Sequence, residues 1–285
     1  MGISAEDIRQ LHRYEIRILS ALERMMRSHQ WVPLDLLRKV VGLSESETFY
    51  RLSHLMEMGM VRYDAVPYEG YTLVFGGYDA LALLALTRKG TVKALGCQFG
   101  EGKESVVYEG LGLGQLALKF HRVGQRSFQA VRVSREYLPD EGHCPWIFAS
   151  RLSAEREFAA LTRLHASVPV PLPVDQNRNL VAMEFIPGVN LNRVRLSDPE
   201  AVLGKVLGAV RLAYIEGIIH ADLSEFNVMM VGDDPVLIDW PQWIGTDHPN
   251  ADEILMRDIG NITRYFQRKY HVQQDPSEAW GQVRA

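Results

Sequence analysis

The stretch His220-Ala221-Asp222-Leu223-Ser224-Glu225-Phe226-Asn227 carries more chemical information than any other part of this chain. It places a carboxylate at Asp222 and a carboxamide five positions later, at Asn227. A second carboxylate, Asp239, follows the apolar run 236–238. Oxygen atoms of these kinds are the ligands that Mg²⁺ prefers, and an Asp on such a loop can orient or deprotonate an attacking group. The pattern predicts phosphoryl transfer that depends on a metal ion.

The composition favours a cytoplasmic protein with two domains and no membrane partner. The 285 residues, 47% of them hydrophobic, suffice for two cores. The net charge of −4 gives no general attraction to nucleic acid or to anionic lipid. Cys97 and Cys144 are too few for a disulfide framework or a four-cysteine zinc site. The first ten residues lack the apolar core of a signal peptide, and the longest apolar stretch, 80–86, is too short to span a bilayer.

The first part of the chain has the element order of a winged helix. Ser44 and Glu47 predict a capping box at the start of its third helix. The predicted elements are helices at 5–27, 34–41 and 44–58, strands at 61–63 and 71–74, and a linking helix at 79–90. We therefore predict a winged-helix domain with its linking helix at residues 1–92.

The rest of the chain predicts a second domain of mixed helices and strands at residues 93–285. Its predicted elements are strands flanking Gly100, a strand at 116–120, mostly loop at 122–147, a helix at 151–165, a strand at 180–185, and helices at 198–216 and 251–270.

A glycine-rich loop opens this second domain and predicts contact with phosphate. It follows the pattern G-x-G-x-x-G-x-V, with Ser105 in place of the third glycine. The matching residues are Gly100, Gly102, Lys103, Ser105 and Val107. The glycines allow the backbone to approach phosphate oxygens, and the Ser105 hydroxyl can donate to them. A tight β-turn explains the loop equally well when it is taken alone. A Walker A loop is excluded, because Cys97 and Glu104 stand where Gly and Ser or Thr are needed.

Lys119 interrupts an otherwise apolar predicted strand, and a buried lysine without an anionic partner is costly. We expect it to meet nucleotide phosphates and a Glu on the following helix. Glu157 is our choice for that Glu, and Glu155 is the alternative, since the two lie about 200° apart around a helix. A surface lysine at a strand edge is the other interpretation of Lys119.

Two further features are less specific. The backbone of Met183, Glu184 and Ile186 stands where a hinge between two lobes belongs and could pair with adenine, although a plain strand end explains it too. Asp258, on the last predicted helix, either braces the 220–227 loop by accepting backbone hydrogen bonds or lies on a solvated helix face.

The order of these residues along the chain is that of a protein kinase. The 220–227 stretch matches H-R-D-x-x-x-x-N, with Ala221 in place of Arg. GEGKES at 100–105, HADLSEFN at 220–227 and LIDWPQ at 237–242 resemble the RIO-type atypical protein kinases. The winged helix is similar to that of the second subfamily, and the short end of the chain is similar to archaeal members.

The resemblance implies an α+β fold, with an amino-terminal winged helix followed by a trimmed two-lobed kinase-like (RIO) domain. It implies an N-lobe at about 93–184, a hinge at about 184–188 and a C-lobe at about 189–285. It also implies a serine/threonine kinase or ATPase that uses ATP and Mg²⁺, with Mn²⁺ as an alternative, and that acts in maturation of the small ribosomal subunit. The expected partner is the precursor of that subunit, through its RNA or its proteins.

The same resemblance assigns roles to single residues. Lys119 would hold the phosphates, Asn227 and Asp239 would hold the metal ion, and Asp222 would orient or deprotonate the acceptor. Asp239 is also the candidate phosphate acceptor. Trp240-Pro241 follows it in place of Phe-Gly, and because Pro restricts its own backbone and that of Trp240, we expect no flipping switch there. Too little chain follows for helices that dock peptide substrates.

A second hypothesis is a winged-helix RNA-binding assembly factor whose nucleotide site is a regulatory switch. The loop with Arg122, Arg126, Arg132 and Arg135 is then the expected RNA contact, and a solvated loop is the plainer interpretation. The third helix carries Glu45, Glu47 and Glu57 against Arg51, which makes DNA an unlikely partner.

Overall fold

The computed structural model describes residues 3–66, 68–124 and 146–285, which form two compact units. The first unit is drawn from the residues up to Ala154 and from Asp175–Ala182, and the second from Glu155–Val174 and Met183–Ala285. The predicted domain boundary after residue 92 lies inside the first unit and stays a prediction. Among the described residues, no helix has the length and apolar character needed to cross a bilayer.

The first unit begins with helices and a β-hairpin in the predicted order. The elements are α1 (Ala5–Gln10), α2 (Arg13–Met25), α3 (Leu34–Val41), α4 (Glu45–Glu57), β1 (Val61–Asp64), β2 (Gly70–Leu73) and α5 (Phe75–Lys89). The two strands pair antiparallel, with Val61 opposite Leu73. Gly42 and Gly90 end α3 and α5 in the left-handed conformation that glycine adopts without strain. Helix α5 begins four residues earlier than predicted, at Phe75 rather than 79.

The single helix predicted at 5–27 is wrong, because the structure divides it. His12 caps a new helix: its ring nitrogen accepts the Tyr14 N–H at 3.2 Å, and Glu15 accepts the His12 N–H at 2.7 Å. The apolar periodicity continues across the break and conceals it. The capping box predicted at Ser44 forms only in part, since Glu47 binds Arg51 at 2.8 Å instead of returning to the cap.

A five-stranded sheet completes the first unit, in the order β3-β4-β5-β7-β6. Its strands are β3 (Ala94–Glu101), β4 (Ser105–Leu111), β5 (Gln115–His121), β6 (Pro173–Asn177) and β7 (Leu180–Glu184). Helix α6 (Trp146–Leu164) begins inside the segment 122–147 that was predicted as mostly loop. Leu118 and Phe120 of β5 pack in one buried cluster with Leu19 and Leu55 of the helical part. One apolar core therefore supports both parts of this unit.

The second unit is mainly helical and carries two small sheets. Its remaining elements are β8 (Val189–Asn190), a 3₁₀ turn (Leu191–Arg193), α7 (Pro199–Ile215), β9 (Ile218–Ile219), β10 (Val228–Val231), β11 (Asp234–Leu237), β12 (Ile244–Gly245), α8 (Ala251–Tyr270) and α9 (Pro276–Arg284). Strands β10 and β11 form a hairpin with Val228 opposite Leu237, and β12 pairs with β9. The segment 220–227 therefore begins directly after β9, and Asp239 lies two residues beyond the end of β11.

Candidate active site

The glycine-rich loop connects two strands of the first unit. Gly100 lies opposite Val107 in the β3–β4 ladder, and the Gly102 N–H donates to the Ser105 carbonyl at 2.8 Å. A Cβ added at Gly100 would come within 3.3 Å of the Val107 Cβ, closer than most such contacts. Lys103 is exposed at the tip of the turn. The loop is therefore a tight turn between β3 and β4, and the predicted contact of its backbone with phosphate stays a prediction.

Lys119 lies in the middle of β5, opposite Val107 of β4. It is only 7% exposed, so it is not a surface lysine. The strand pairing places Gly100, Val107 and Lys119 side by side on the adjacent strands β3, β4 and β5. The binding of nucleotide phosphates by Lys119 stays a prediction.

A buried polar network holds the end of β5 two residues beyond Lys119. Asp79 of α5 is fully buried and accepts hydrogen bonds from Arg122, at 3.1 and 2.5 Å, and from the Asn179 amide, at 2.7 Å. The Asn179 amide also binds the His121 carbonyl at 2.9 Å. Burial raises the pKa of the Asp79 carboxyl to about 6, and Arg122 and Asn179 offset part of that rise. Sequence reasoning did not identify this network.

The same network corrects the predicted RNA contact at one position. The Arg122 guanidinium is paired with Asp79 and is only 18% exposed, so its charge is used inside the first unit. Arg126, Arg132 and Arg135 lie outside the described residues, and so does Cys144.

Asp258 of α8 braces the 220–227 loop, as one of the two interpretations predicted. Its Oδ2 accepts the Ala221 N–H at 2.7 Å, and its Oδ1 accepts the Leu223 N–H at 3.4 Å. Ala221 has φ of 64°, a left-handed conformation that costs a non-glycine residue about 1 kcal/mol. Two backbone bonds to a side chain that is 1% exposed offset that cost and hold Asp222 between them.

Two further residues of α8 hold this loop and were missed by sequence reasoning. The Arg257 guanidinium donates to the Ala221 carbonyl at 2.5 Å, and the Asn261 amide donates to the Leu223 carbonyl at 3.2 Å. Together with Asp258 they satisfy both the N–H and the carbonyl of each loop residue that they contact. The one signal in the sequence was helical spacing, since Asn261 lies three residues after Asp258 and four after Arg257.

Asn227 is oriented by the loop that it ends. Its Nδ2 donates to the Asp222 carbonyl at 2.8 Å, so its carboxamide oxygen is the atom left to face a cation. Its own carbonyl accepts the Ile238 N–H at 3.0 Å, which links it to the residue before Asp239. The carboxamide and carboxylate oxygens fit Mg²⁺. Across the described ranges, no group of three or more His, Cys, Asp or Glu side chains could hold a metal ion.

Asp239 follows β11 in an unusual backbone conformation. Its φ is 69°, and the next residue, Trp240, is buried. The Trp240 N–H donates to Glu157 at 3.3 Å, and its indole N–H donates to the Leu237 carbonyl at 3.2 Å. The His220 ring lies 4.4 Å from the Trp240 ring, centroid to centroid. These contacts fix Trp240 beside Asp239, and the expectation that the segment does not flip stays a prediction.

Glu157, rather than Glu155, is the buried carboxylate of α6, with 1% of its surface exposed. Within the second unit its carboxylate accepts the Trp240 N–H at 3.3 Å. The neighbouring Arg156 donates to the carbonyls of Pro241, at 3.0 Å, and of Trp243. Helix α6 thus fixes the segment after Asp239, a function the sequence did not indicate. The predicted pairing of Glu157 with Lys119 stays a prediction.

Of the predicted hinge residues, Met183 and Glu184 end β7 and Ile186 follows it. Met183 is buried, Glu184 is exposed, and Ile186 is half-buried. The Glu184 N–H donates to the Leu172 carbonyl at 2.8 Å, and the Leu172 N–H donates to the Glu184 side chain at 3.3 Å. This pair fixes the backbone at the end of the strand. The adenine contact of these residues stays a prediction.

Asp258 gives the site a predicted pH dependence. Burial raises the pKa of its carboxyl to about 6, and Arg257 and the two loop N–H groups offset part of that rise. A pKa above the unfolded value stabilises the fold at low pH, and this stabilisation is lost as pH rises through about 6. We expect the unfolding free energy of the wild type, relative to Asp258→Asn, to fall by about 2 kcal/mol between pH 4 and pH 7. Urea unfolding of the wild type and of Asp258→Asn at several pH values measures this difference in unfolding free energy. A difference that stays constant would contradict the buried, titrating carboxyl.

Comparison with known proteins places these features in a family. Residues 102–279 match the RIO domain, and residues 8–89 match the amino-terminal domain of Rio2. The RIO-type serine/threonine-protein kinase Rio2 of Methanocaldococcus jannaschii is 40% identical over 259 residues, which cover 88% of this chain and 94% of that protein. The serine/threonine-protein kinase rio2 of Schizosaccharomyces pombe is 35% identical over 281 residues, covering 96% and 82%.

A solved structure agrees with the sequence comparisons. The crystal structure of the Rio2 kinase of Chaetomium thermophilum in an ADP/Mg²⁺-phosphoaspartate complex superposes with a TM-score of 0.82 at 29% identity. The match covers 98% of this chain and 89% of that one. The family and the α+β fold expected from the motifs are therefore confirmed. The chain belongs to the Rio2 family of RIO-type serine/threonine-protein kinases.

Proposed function

We propose that this protein transfers the terminal phosphoryl group of ATP, with Mg²⁺ bound, and that Asp239 accepts it in an aspartyl-phosphate intermediate. The arrangement of the 220–227 loop and Asp239 is the observation that carries the proposal. Both lie just after short strands, and Asn227 links them through its carbonyl. The related Rio2 kinase of Chaetomium thermophilum, solved as an ADP/Mg²⁺-phosphoaspartate complex, supports the choice of an aspartate as acceptor.

Each group has a stated task in this proposal. Lys119 and the backbone N–H groups of the glycine-rich loop bind the phosphates. The oxygens of Asn227 and Asp239 bind Mg²⁺, which neutralises phosphate charge when bound. In this proposal Asp239 displaces ADP from the terminal phosphorus, and Asp222 orients or deprotonates the hydroxyl or water that then takes the phosphoryl group from Asp239. Asp258 acts through the loop backbone, so it is a positioning residue. Catalysis then rests on fixed geometry and charge neutralisation, as phosphoryl transfer generally does.

The location of phosphate after turnover tests this proposal. We expect incubation with radiolabelled ATP and Mg²⁺ to give a protein label that hydroxylamine removes, because acyl phosphates react with it and phosphoserine does not. Borohydride reduction followed by mass spectrometry should place the modification on Asp239. Asp234→Asn is the matched control, since Asp234 is an exposed carboxylate on β11 paired with Lys205. Label on a serine, or label that Asp239→Asn retains, would contradict the acceptor assignment.

We also propose that the cellular substrate assembly is the precursor of the small ribosomal subunit. Family resemblance supports this part of the proposal. Cosedimentation of the full chain with small-subunit precursors, and its release when ATP is supplied, tests it. A chain that sediments apart from those particles at low and physiological salt would overturn it.

ATP turnover separates the proposed enzyme from the alternative, an RNA-binding factor with a regulatory nucleotide site. The alternative predicts ATP binding without hydrolysis. The pairing of Arg122 with Asp79 removes one of the four arginines from its expected RNA contact. The braced Asp222 and the fixed Asp239 favour the enzyme.

A further inference from the structure

The winged-helix part of the first unit contains an open groove that the proposed phosphoryl transfer does not use. It lies between the start of α3, helix α4 and the β1–β2 hairpin, and its volume is about 580 Å³. That volume is within the range of sites that bind small molecules or peptide side chains. We call it the hairpin groove.

Apolar and aromatic side chains form the floor and the wall of the hairpin groove. Tyr71 is buried at its base, beside Leu34 and Met56. Phe49 and Tyr63 rise above them and remain 55% and 40% exposed. The rings of Tyr63 and Tyr71 are 5.3 Å apart, centroid to centroid. Aromatic side chains gain much free energy when they are covered, so an exposed group of them on one groove indicates a binding surface.

The rim of the hairpin groove is acidic. Asp35, Glu45 and Glu69 line it. Arg38 pairs with Asp35 at 2.9 Å and lies 3.7 Å from Glu45, so one positive charge offsets three negative ones. Asp35 and Glu45 remain 73% and 66% exposed, so a partner can still reach both carboxylates.

This combination selects one class of partner. A nucleic-acid backbone would bring phosphates against three carboxylates, which costs free energy and releases no counterions. A protein segment that alternates apolar and basic side chains can bury its apolar groups against Phe49 and Met56. Its Lys or Arg groups can then pair with Glu45 and Glu69, or lie over an aromatic ring. We propose that the hairpin groove binds a basic, apolar segment of a protein partner, so that this winged helix recognises protein rather than nucleic acid.

Binding of defined probes to the full chain tests the proposal. The probes are a fluorescent peptide of alternating Lys and Leu, the same peptide with Glu in place of Lys, and a short oligouridine. We expect the Lys/Leu peptide alone to bind, more weakly as salt rises. Phe49→Ala and Glu45→Lys should each weaken it at least about tenfold, because the first removes an apolar contact in the groove and the second reverses a charge on its rim.

A matched variant and a local signal separate specific binding from general charge attraction. Glu57 is exposed on the same helix but does not line the groove, so Glu57→Lys should bind the peptide as the wild type does. In protein labelled at the methionine methyl groups, the Met56 signal should shift on peptide addition and the signal of Met229, in the second unit, should not. ATP turnover should be unchanged in all three variants, whether or not the acceptor assignment holds.

Three outcomes would overturn the proposal. The first is equal weakening by Glu45→Lys and Glu57→Lys, which would mean that the peptide responds only to net charge. The second is an unshifted Met56 signal at saturating peptide. The third is oligouridine that binds the full chain and displaces the Lys/Leu peptide, which would make the groove a nucleic-acid site.

Discussion

Replacing Asp239 by Asn is expected to lower ATP turnover roughly a thousandfold while leaving the fold intact. The substitution removes a charged metal ligand and the proposed phosphate acceptor, at an expected loss of about 4 kcal/mol of transition-state stabilisation. The fold should survive the substitution even though Asp239 has φ of 69°, in the left-handed region. Asn is among the few residues that tolerate this left-handed conformation, so the backbone before Trp240 need not change.

The turnover rate and the unfolding free energy of the purified variant test this expectation together. Asp234→Asn makes the same chemical change on an exposed residue of β11 and should keep wild-type turnover. Asp239→Ala should lose turnover too, but it should also lower stability, because Ala is strained at positive φ. An Asp239→Asn protein that hydrolyses ATP within tenfold of the wild type would remove Asp239 from the reaction.

The sequence predicted the local arrangement of the 220–227 loop because that arrangement depends on spacing along the chain, and the catalytic role of the loop stays a prediction. Asp222 and Asn227 lie on one short loop, and the bond between the Asn227 amide and the Asp222 carbonyl spans five residues. The residues that support the loop come from α8, more than thirty positions away. Asp258 was predicted only as one of two interpretations, and Arg257 and Asn261 were missed, because a helical polar residue looks the same whether it faces water or a loop.

The errors in the predicted secondary structure have the same cause, over shorter distances along the chain. Periodicity merged α1 and α2, since the His12 cap lies inside a continuous apolar stripe. Helix α9 was overlooked although its start carried a usable signal: Asp275 caps it and Pro276 occupies its first position. The short strands β8, β9 and β12 have too few residues for any pattern, and only their partners define them.

The buried network around Asp79 is the site of the largest expected effect on stability. Asp79→Leu removes the acceptor of the Arg122 guanidinium and of the Asn179 amide, inside a unit whose core spans the helices and the sheet. Removing one partner of a buried ion pair leaves the other charge unpaired, so we expect the unfolding free energy to fall by about 3 to 5 kcal/mol. Asp79 and Arg122 are 43 positions apart, which explains why sequence reasoning did not find the pair. Urea unfolding of the full chain measures the loss.

A double variant distinguishes a lost ion pair from a simple packing defect. Because burial raises the pKa of Asp79 to about 6, its charge is held at a cost that Arg122 only partly offsets. Removing both charges should therefore restore much of the stability, and Asp79→Leu with Arg122→Leu should be more stable than Asp79→Leu alone by about 2 kcal/mol. If the losses of unfolding free energy from the two substitutions instead add, the effect does not come from the ion pair. It then comes from the change in packing at the position of Asp79. The ATP turnover of the same double variant shows whether the network also positions Lys119. If its stability is restored but its turnover is lowered, we infer that β5, which carries Lys119, has moved.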